Sequence, residues 1–243
     1  MKTLDIIRQD IFKNKVISGV IEANISEDRP NGFSTKYNEF VLKETISHNR
    51  EELNSLYPSF KFIYQNQYHS DKIINIDNNY LNKNIELDSD AIITNLNNIM
   101  LCVHIADCGA LLLYDKINHS IAAIHSGWQG SKKNIAGKTI LKMKKNFNTS
   151  PKNLLAYLSP CASIDNYEVG KEFIEYFPNS IRKYNGKYYF NNKKEIKSQL
   201  LISGLIETNI ELSELCTITS NNLHSYRRDN NKSGRMTAFI GLL

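Results

Sequence analysis

A chain of 243 residues, 41% of them hydrophobic and 10% aromatic, carries enough apolar side chain to bury a substantial core, which excludes global disorder. Its 30 basic and 25 acidic residues give a formal charge of +5 and are spread along the sequence, a pattern that fits a solvated surface better than a nucleic-acid groove. No stretch approaches the ~20 continuous apolar residues of a membrane span, and Met1-Lys2-Thr3-Leu4-Asp5 lacks a signal peptide's apolar core, so a cytoplasmic protein is expected.

In chain order, apolar runs rich in β-branched residues predict strands near Lys15–Ala23, Phe60–Tyr64, Ala91–Thr94, Met100–Ile105, Ala110–Tyr114, Ser120–Ile124, Leu154–Leu158, Cys216–Thr219 and Met236–Ile240. Helical spacing appears at Ile46, Leu53 and Leu56, at Ile140, Met143 and Phe147, and at Ile196, Leu200 and Leu201. The Asn-rich stretch Ile76–Asn84 reads as a surface loop or hairpin connection. Strands cluster instead of alternating one for one with helices, which favours an α+β fold over a doubly wound sheet. Neither an internal repeat nor a Pro-, Gly- or Ser-rich linker divides the sequence, so residues 1–243 are expected to form a single catalytic domain.

Chemistry concentrates where two buried-strand patterns stop at polar residues. Asp107 and Cys108 follow the apolar run ending at Ala106, and Gly109 lets the backbone turn. His125 ends Ile121–Ile124, and a third candidate, His69, follows the run that begins at Phe60. One thiolate and two imidazoles are donors that zinc accepts, with a fourth position left for water or substrate, as in a catalytic site. Taken singly, a buried Cys is more often a small hydrophobe and a strand-end His more often just hydrogen-bonded. The four cysteines, Cys102, Cys108, Cys161 and Cys216, are expected as thiols or metal ligands, not disulfide partners. Trp128, the only tryptophan, follows His125 and reads equally as a core anchor or as a stacking wall for a flat ring or lid over the metal. Near the C-terminus, Arg227, Arg228 and Arg235 could hold a phosphate or carboxylate, although a plain basic turn is the commoner arrangement.

These segments together resemble the laccase-domain family, historically called multicopper polyphenol oxidases and now regarded mainly as zinc-dependent purine nucleoside phosphorylases with adenosine deaminase activity. Asn31-Gly32-Phe33-Ser34 is a weak counterpart of the family's early Gly-Gly-x-Ser, and Gln67-Tyr68-His69 of its Gln-Val-His. Ala106-Asp107-Cys108, His125-Ser126-Gly127-Trp128, Ser159-Pro160, Tyr167-Glu168-Val169-Gly170, Ser225-Tyr226-Arg227-Arg228 and Gly234-Arg235 follow in family order. The resemblance places the metal ligands on His69, Cys108 and His125. It implies two mixed β-sheets flanked by helices, in an architecture related to cysteine-hydrolase-like toxins. Gln129 and Ala110 stand where the family usually has Arg and Pro, and the early motif keeps only its Arg29 and second Gly32.

The activity implied is phosphorolysis of purine nucleosides, including methylthioadenosine, with deamination of adenosine, supported by zinc or, as an alternative, copper. Asp107 would orient a ligand or act as a base, Arg228 would hold an anion, and Trp128 and Arg227 would contact the substrate. Three other readings stand beside it: a Cys108 nucleophile with a His125 base cleaving an amide of peptidoglycan precursors, a copper polyphenol oxidase, and an inactive nucleoside-binding module. The partners expected are a small purine nucleoside and phosphate, with neither nucleic acid nor membrane.

Overall fold

The computed structural model describes residues 4–13, 15–37, 41–81 and 87–243. Among the described residues the strands are β1 (Ile6–Ile7), β2 (Val16–Ile21), β3 (Lys61–Ile63), β4 (Ile73–Asn75), β5 (Ala91–Thr94), β6 (Ile99–Ile105), β7 (Gly109–Asp115), β8 (Ser120–Ser126), β9 (Leu154–Leu158), β10 (Glu168–Val169), β11 (Ile181–Tyr184), β12 (Lys187–Phe190), β13 (Ile210–Leu212) and β14 (Met236–Leu242). The α-helices are α1 (Lys43–Leu56), α2 (Asn78–Leu81), α3 (Trp128–Lys132), α4 (Ile135–Phe147), α5 (Phe173–Tyr176), α6 (Asn192–Ile202) and α7 (Tyr226–Asp229). None is long and apolar enough to cross a membrane.

Two large mixed sheets dominate. One runs β1-β2-β14-β6-β3, antiparallel except for the β3–β6 pair, and the other runs β13-β9-β7-β8-β5-β4, with parallel pairs only at its two edges. β6, β7 and β8 are buried along their whole length, as near-continuous apolar runs require when both faces of a strand are covered. Side-chain alternation sorts their residues into layers. Leu101, Val103 and Ile105 of β6 meet Leu112, Tyr114, Ile121 and Ala123 of the other sheet in a shared inner core. On the outer face of the five-stranded sheet, Met100, Cys102 and Phe239 pack with Leu53 of α1. On the outer face of the six-stranded sheet, Leu111, Leu113, Ala122 and Ile124 pack under Ile135, Ile140 and Met143 of α4 and Ile196 and Leu200 of α6. The result is a helix–sheet–sheet–helix α+β stack, as expected.

The third sheet, β10-β12-β11, is antiparallel. It encloses a separate aromatic cluster of Phe173, Phe177 and Phe190, against which Trp128 and Tyr167 pack. The sequence reading contained no counterpart to it. The expected strand Cys216–Thr219 is also absent: Cys216 makes a single bridge to Cys161, and the chain then turns, with the Ser220 N–H donating to the Cys216 carbonyl at 3.1 Å. Local β-branched composition gives way there to a turn closed by its own hydrogen bond. Part of the expected loop Ile76–Asn84 is ordered as α2, while its residues 82–84 lie outside the described residues. Leu56 ends α1 on its exposed side, not on the buried face with Ile46 and Leu53.

Candidate metal centre

The antiparallel register of β7 and β8 builds the centre. Gly109 pairs with Ser126 and Ala110 with His125, so Cys108, one residue before β7, stands opposite Gly127, one residue after β8. Gly127 has φ −79° and ψ −176°, backbone that any residue adopts. What demands glycine is space: a Cβ there would lie 2.5 Å from Cys108 Sγ and 3.7 Å from His69 Cδ2. The loop after β3 carries His69 into the same corner, at φ 62°. One ligand atom from each of His69, Cys108 and His125 lies within 4.8 Å of the others, and the two imidazoles meet edge-on at 4.9 Å between ring centroids. His125 is buried, Cys108 half-buried and His69 exposed. The group is therefore walled on one side and open on the other.

Asp90 organises this corner, and sequence reasoning missed it. Its fully buried carboxylate lies 2.8 Å from His125 Nδ1. It also accepts the backbone N–H of Tyr68, His69 and Ser70 at 3.3, 3.1 and 2.6 Å, and the Ser70 hydroxyl at 2.7 Å. One anion thus fixes the ring orientation of His125 and the left-handed turn that delivers His69. Because Nδ1 is bound to Asp90, Nε2 is the nitrogen left for a ligand. The Lys133 ammonium braces the same turn by donating to the His69 carbonyl at 2.7 Å.

Electrostatics follow from these contacts. Burial pushes the Asp90 carboxyl up, but the His125 and Ser70 hydrogen bonds outweigh it and bring it to about 2. Burial likewise opposes ionisation of Cys108 and His125, yet their attraction for each other wins. The thiol, helped by hydrogen bonds from His125 and His69, falls to about 6, and the imidazole, helped by Asp90, rises to about 9. Both shifts run towards the thiolate and the imidazolium.

The other expected residues separate by role. Asp107, at φ 80°, turns its carboxylate away from the β7 strand end. It accepts the Thr217 hydroxyl at 2.6 Å and the Arg227 backbone N–H at 2.6 Å, tying the C-terminal loops to the ligand-bearing turn. Arg228 corrects its expected part as anion holder: its guanidinium donates to the carbonyls of Thr217, Ile218, Ser220 and Leu223 and to both carboxylate oxygens of Asp229. No N–H of that guanidinium remains for an anion. Arg235 also turns inward, onto the carbonyls of Ser233 and Gly234. Arg227 is exposed, gives one bond to the Glu168 carbonyl at 3.0 Å, and has its guanidinium carbon 5.3 Å from the centroid of the Tyr167 ring.

Trp128, Tyr167, Val169, Phe173 and Arg227 line a cleft of about 740 Å³. It borders the centre through the chain itself, since Trp128 follows Gly127 and the Arg227 N–H is bound to Asp107. Trp128 packs on Phe173 at 5.2 Å and stacks on Tyr176 at 6.4 Å, as a core anchor does, and keeps a place in the cleft wall. Tyr167 was not foreseen as a site residue. Burial, with the Cys108 charge nearby, pushes its phenol up, so it stays a neutral donor. Of the two sequence departures, Ala110 has a local account: its N–H donates to the Ser159 hydroxyl at 2.9 Å, a bond that proline lacks the hydrogen to make. In the early motif, Gly32 is held at φ +70°, where an added Cβ would meet the Ala23 carbonyl, and Arg29 pairs with Glu52 at 2.6 Å.

The same fold recurs in solved structures: a YfiH protein of Bacillus licheniformis superposes with a TM-score of 0.90 at 22% identity, covering 100% of this chain and 98% of that one. YlmD of Geobacillus stearothermophilus gives 0.87 at 20%, covering 96% and 94%. Among sequence relatives, a protein of Aquifex aeolicus named purine nucleoside phosphorylase is 37% identical over 175 residues, 72% of this chain and 80% of its own. One of Clostridium acetobutylicum with the same name is 36% identical over 181 residues, 73% and 75%. The model of the family described as multi-copper polyphenol oxidoreductase laccase matches residues 25–243, and the chain belongs to that family.

Proposed function

We propose that the chain is a single-domain, zinc-dependent purine nucleoside phosphorylase. The observation that carries the reading is the His69–Cys108–His125 group standing open beside an aromatic cleft with an arginine on its rim, in a chain whose relatives are named for that activity. The donor set fits the metal: a thiol already lowered towards its anion and two imidazoles, one of them oriented by a buried carboxylate. Bound there, zinc supplies Lewis acidity to a substrate oxygen or nitrogen.

The chain's own residues supply the rest. Trp128 and Tyr167 offer ring faces for a flat purine. Arg227 keeps N–H donors beyond its bond to Glu168, and these would hold phosphate in charge-assisted bonds. Phosphorolysis then forms a bond from a phosphate oxygen to the anomeric carbon of the sugar as the carbon–nitrogen bond breaks, and the nitrogen of the departing base takes the proton that the hydrogen phosphate loses. Tyr167, a neutral phenol at the cleft wall, would donate a hydrogen bond to the base. Asp107 acts here as a positioning residue for the loop that carries Arg227. The same pocket would take methylthioadenosine for phosphorolysis and adenosine for replacement of its amino group by water, both in the cytoplasm.

Purified protein of known zinc content is expected to release hypoxanthine from inosine and adenine from methylthioadenosine only when phosphate is present, and to convert adenosine to inosine. Cys108→Ala should abolish all three. Absence of turnover by the zinc-loaded protein sinks the reading.

One observation favours a second reading. The poised Cys108–His125 pair has the form of a thiolate nucleophile with its base, which suits an amidase of the toxin-related type. Amide cleavage by metal-free protein, lost in Cys108→Ala, would establish it. For multi-copper oxidation, the described residues contain one group of three ligands, fewer than a copper cluster needs.

A further inference from the structure

Two further thiols meet beneath the loops that hold Asp107. Cys161, just after β9, and Cys216, after β13, are partners in an isolated parallel bridge, and both are free. Bridged residues on neighbouring strands lie about 4.8 Å apart, within the ~4.4–6.8 Å between Cα atoms that a disulfide spans. Cys161 is buried, whereas Cys216 is half-buried and heads a turn. Its Sγ accepts the Ser163 backbone N–H at 3.4 Å and the Asn166 side-chain amide at 3.7 Å. Two N–H donors converging on one sulfur favour its thiolate.

We propose that Cys216 is a redox-modification site that reacts with hydroperoxides and is resolved by Cys161. The Cys216 thiolate attacks one oxygen of the hydroperoxide. The O–O bond breaks, and the leaving oxygen takes a proton to depart as water or an alcohol. The sulfenic acid formed is then attacked by Cys161 sulfur, which gives up its proton as the S–O bond breaks and water leaves. Two thiols are oxidised to one disulfide, and one hydroperoxide is reduced.

Of the remaining cysteines, Cys108 is the metal ligand of the proposed function on which this rests, and the other two are held as thiols. Burial pushes the Cys102 thiol well above its usual range and the Cys161 thiol up to about 12. At Cys216 burial acts in the same direction, but the Ser163 and turn donors outweigh it and bring the thiol to about 7. The disulfide would bear on the metal centre's support. Thr217, next to Cys216, donates to the Asp107 carboxylate, and Ala162, next to Cys161, donates its N–H to the Asp107 carbonyl at 3.0 Å.

The test is peptide mapping of zinc-loaded full-length protein after brief exposure to hydrogen peroxide and alkylation of the remaining thiols. A cross-linked Cys161–Cys216 peptide is expected, absent in Cys216→Ser, while in Cys161→Ala the Cys216 sulfenic acid should accumulate and be captured by a 1,3-dione. Without peroxide at neutral pH, Cys216 should be alkylated at least about tenfold faster than Cys102, from its larger thiolate fraction. The wild-type map stands even if a variant fails to fold. A cross-link through Cys108, or peroxide oxidation that leaves Cys216 untouched, overturns the proposal.

Discussion

Gly127 and Asp90 show how single residues set the centre. At Gly127 the constraint is steric, so Gly127→Ala should keep the fold while its methyl displaces the Cys108 sulfur, and bound zinc should fall together with activity. Metal analysis of the folded variant checks this, and full zinc occupancy would contradict it. At Asp90 the constraint is electrostatic. Asp90→Asn keeps the shape but puts an NH₂ group where His125 Nδ1, Ser70 and three backbone N–H groups now meet acceptor oxygens. Zinc affinity is expected to fall by about 10- to 100-fold, the usual effect of losing a carboxylate that orients a ligating histidine, measured by competition with a chromogenic chelator. Cys108 and His125 were legible where apolar runs end, His69 more loosely after the run that begins at Phe60, and the family blocks around all three made the ligand role persuasive. Asp90 was not. A Ser-Asp pair before a strand reads as turn chemistry, and its partners lie some 20 and 35 positions away, brought to it by the β4–β5 and β5–β8 pairings. Arg228 misled for a related reason, since a sequence shows an arginine but not the four carbonyls that surround its guanidinium.

At the level of elements, legibility follows burial. The fully buried strands β5, β6, β7 and β8, and β9, buried but for Leu155, were readable from apolar runs. β11 and β12 expose most of their charged and aromatic side chains and carry no such run. Their signal was in the turn: Asn185 and Gly186 both have positive φ, and Tyr184 pairs with Lys187 around them, the two-residue hairpin that Asn-Gly favours. A comparable backbone constraint starts α4. Asn134 sits at φ 55° and its side chain accepts the Gly137 N–H, so it answers both a left-handed backbone and an unpaired helix donor. Asn134→Ala loses both and should cost about 2 kcal/mol, whereas Asn134→Gly keeps the backbone freedom and should cost only a few tenths. Urea melts of the two variants separate these contributions, and equal losses would show that the left-handed backbone carries no weight. The effect would reach the sheet, because α4 buries Ile135, Ile140 and Met143 against β7 and β8.

At the scale of the whole molecule, the N-terminal and C-terminal segments are joined around β14, and that junction gives the fold an acid sensitivity. His224 is buried with Nε2 2.9 Å from the Phe33 carbonyl, so Nε2 carries the proton and donates. Added Cβ atoms at Gly32 and Gly234 would press on its ring, which leaves the imidazole little room for water. Burial pushes His224 from 6.5 down to about 4, and burial drives His104, stacked on Tyr64, below its usual value as well. Both rings are therefore neutral when folded at a pH where the unfolded chain already protonates them. Between 6.5 and about 4 the unfolded state binds more protons, so stability is full above 6.5 and declines as pH falls through that window. His224 alone accounts for about 3 kcal/mol across it, at ~1.36 kcal/mol per pH unit. His224→Asn removes the titration while its amide can still donate towards the Phe33 carbonyl. Urea denaturation across the window should then show a shallower fall for the variant than for the wild type, whatever the variant's stability at neutral pH. The metal centre is intact in both proteins, so its own titration cancels in the comparison. An unchanged slope would place the acid sensitivity elsewhere and remove His224 as its source.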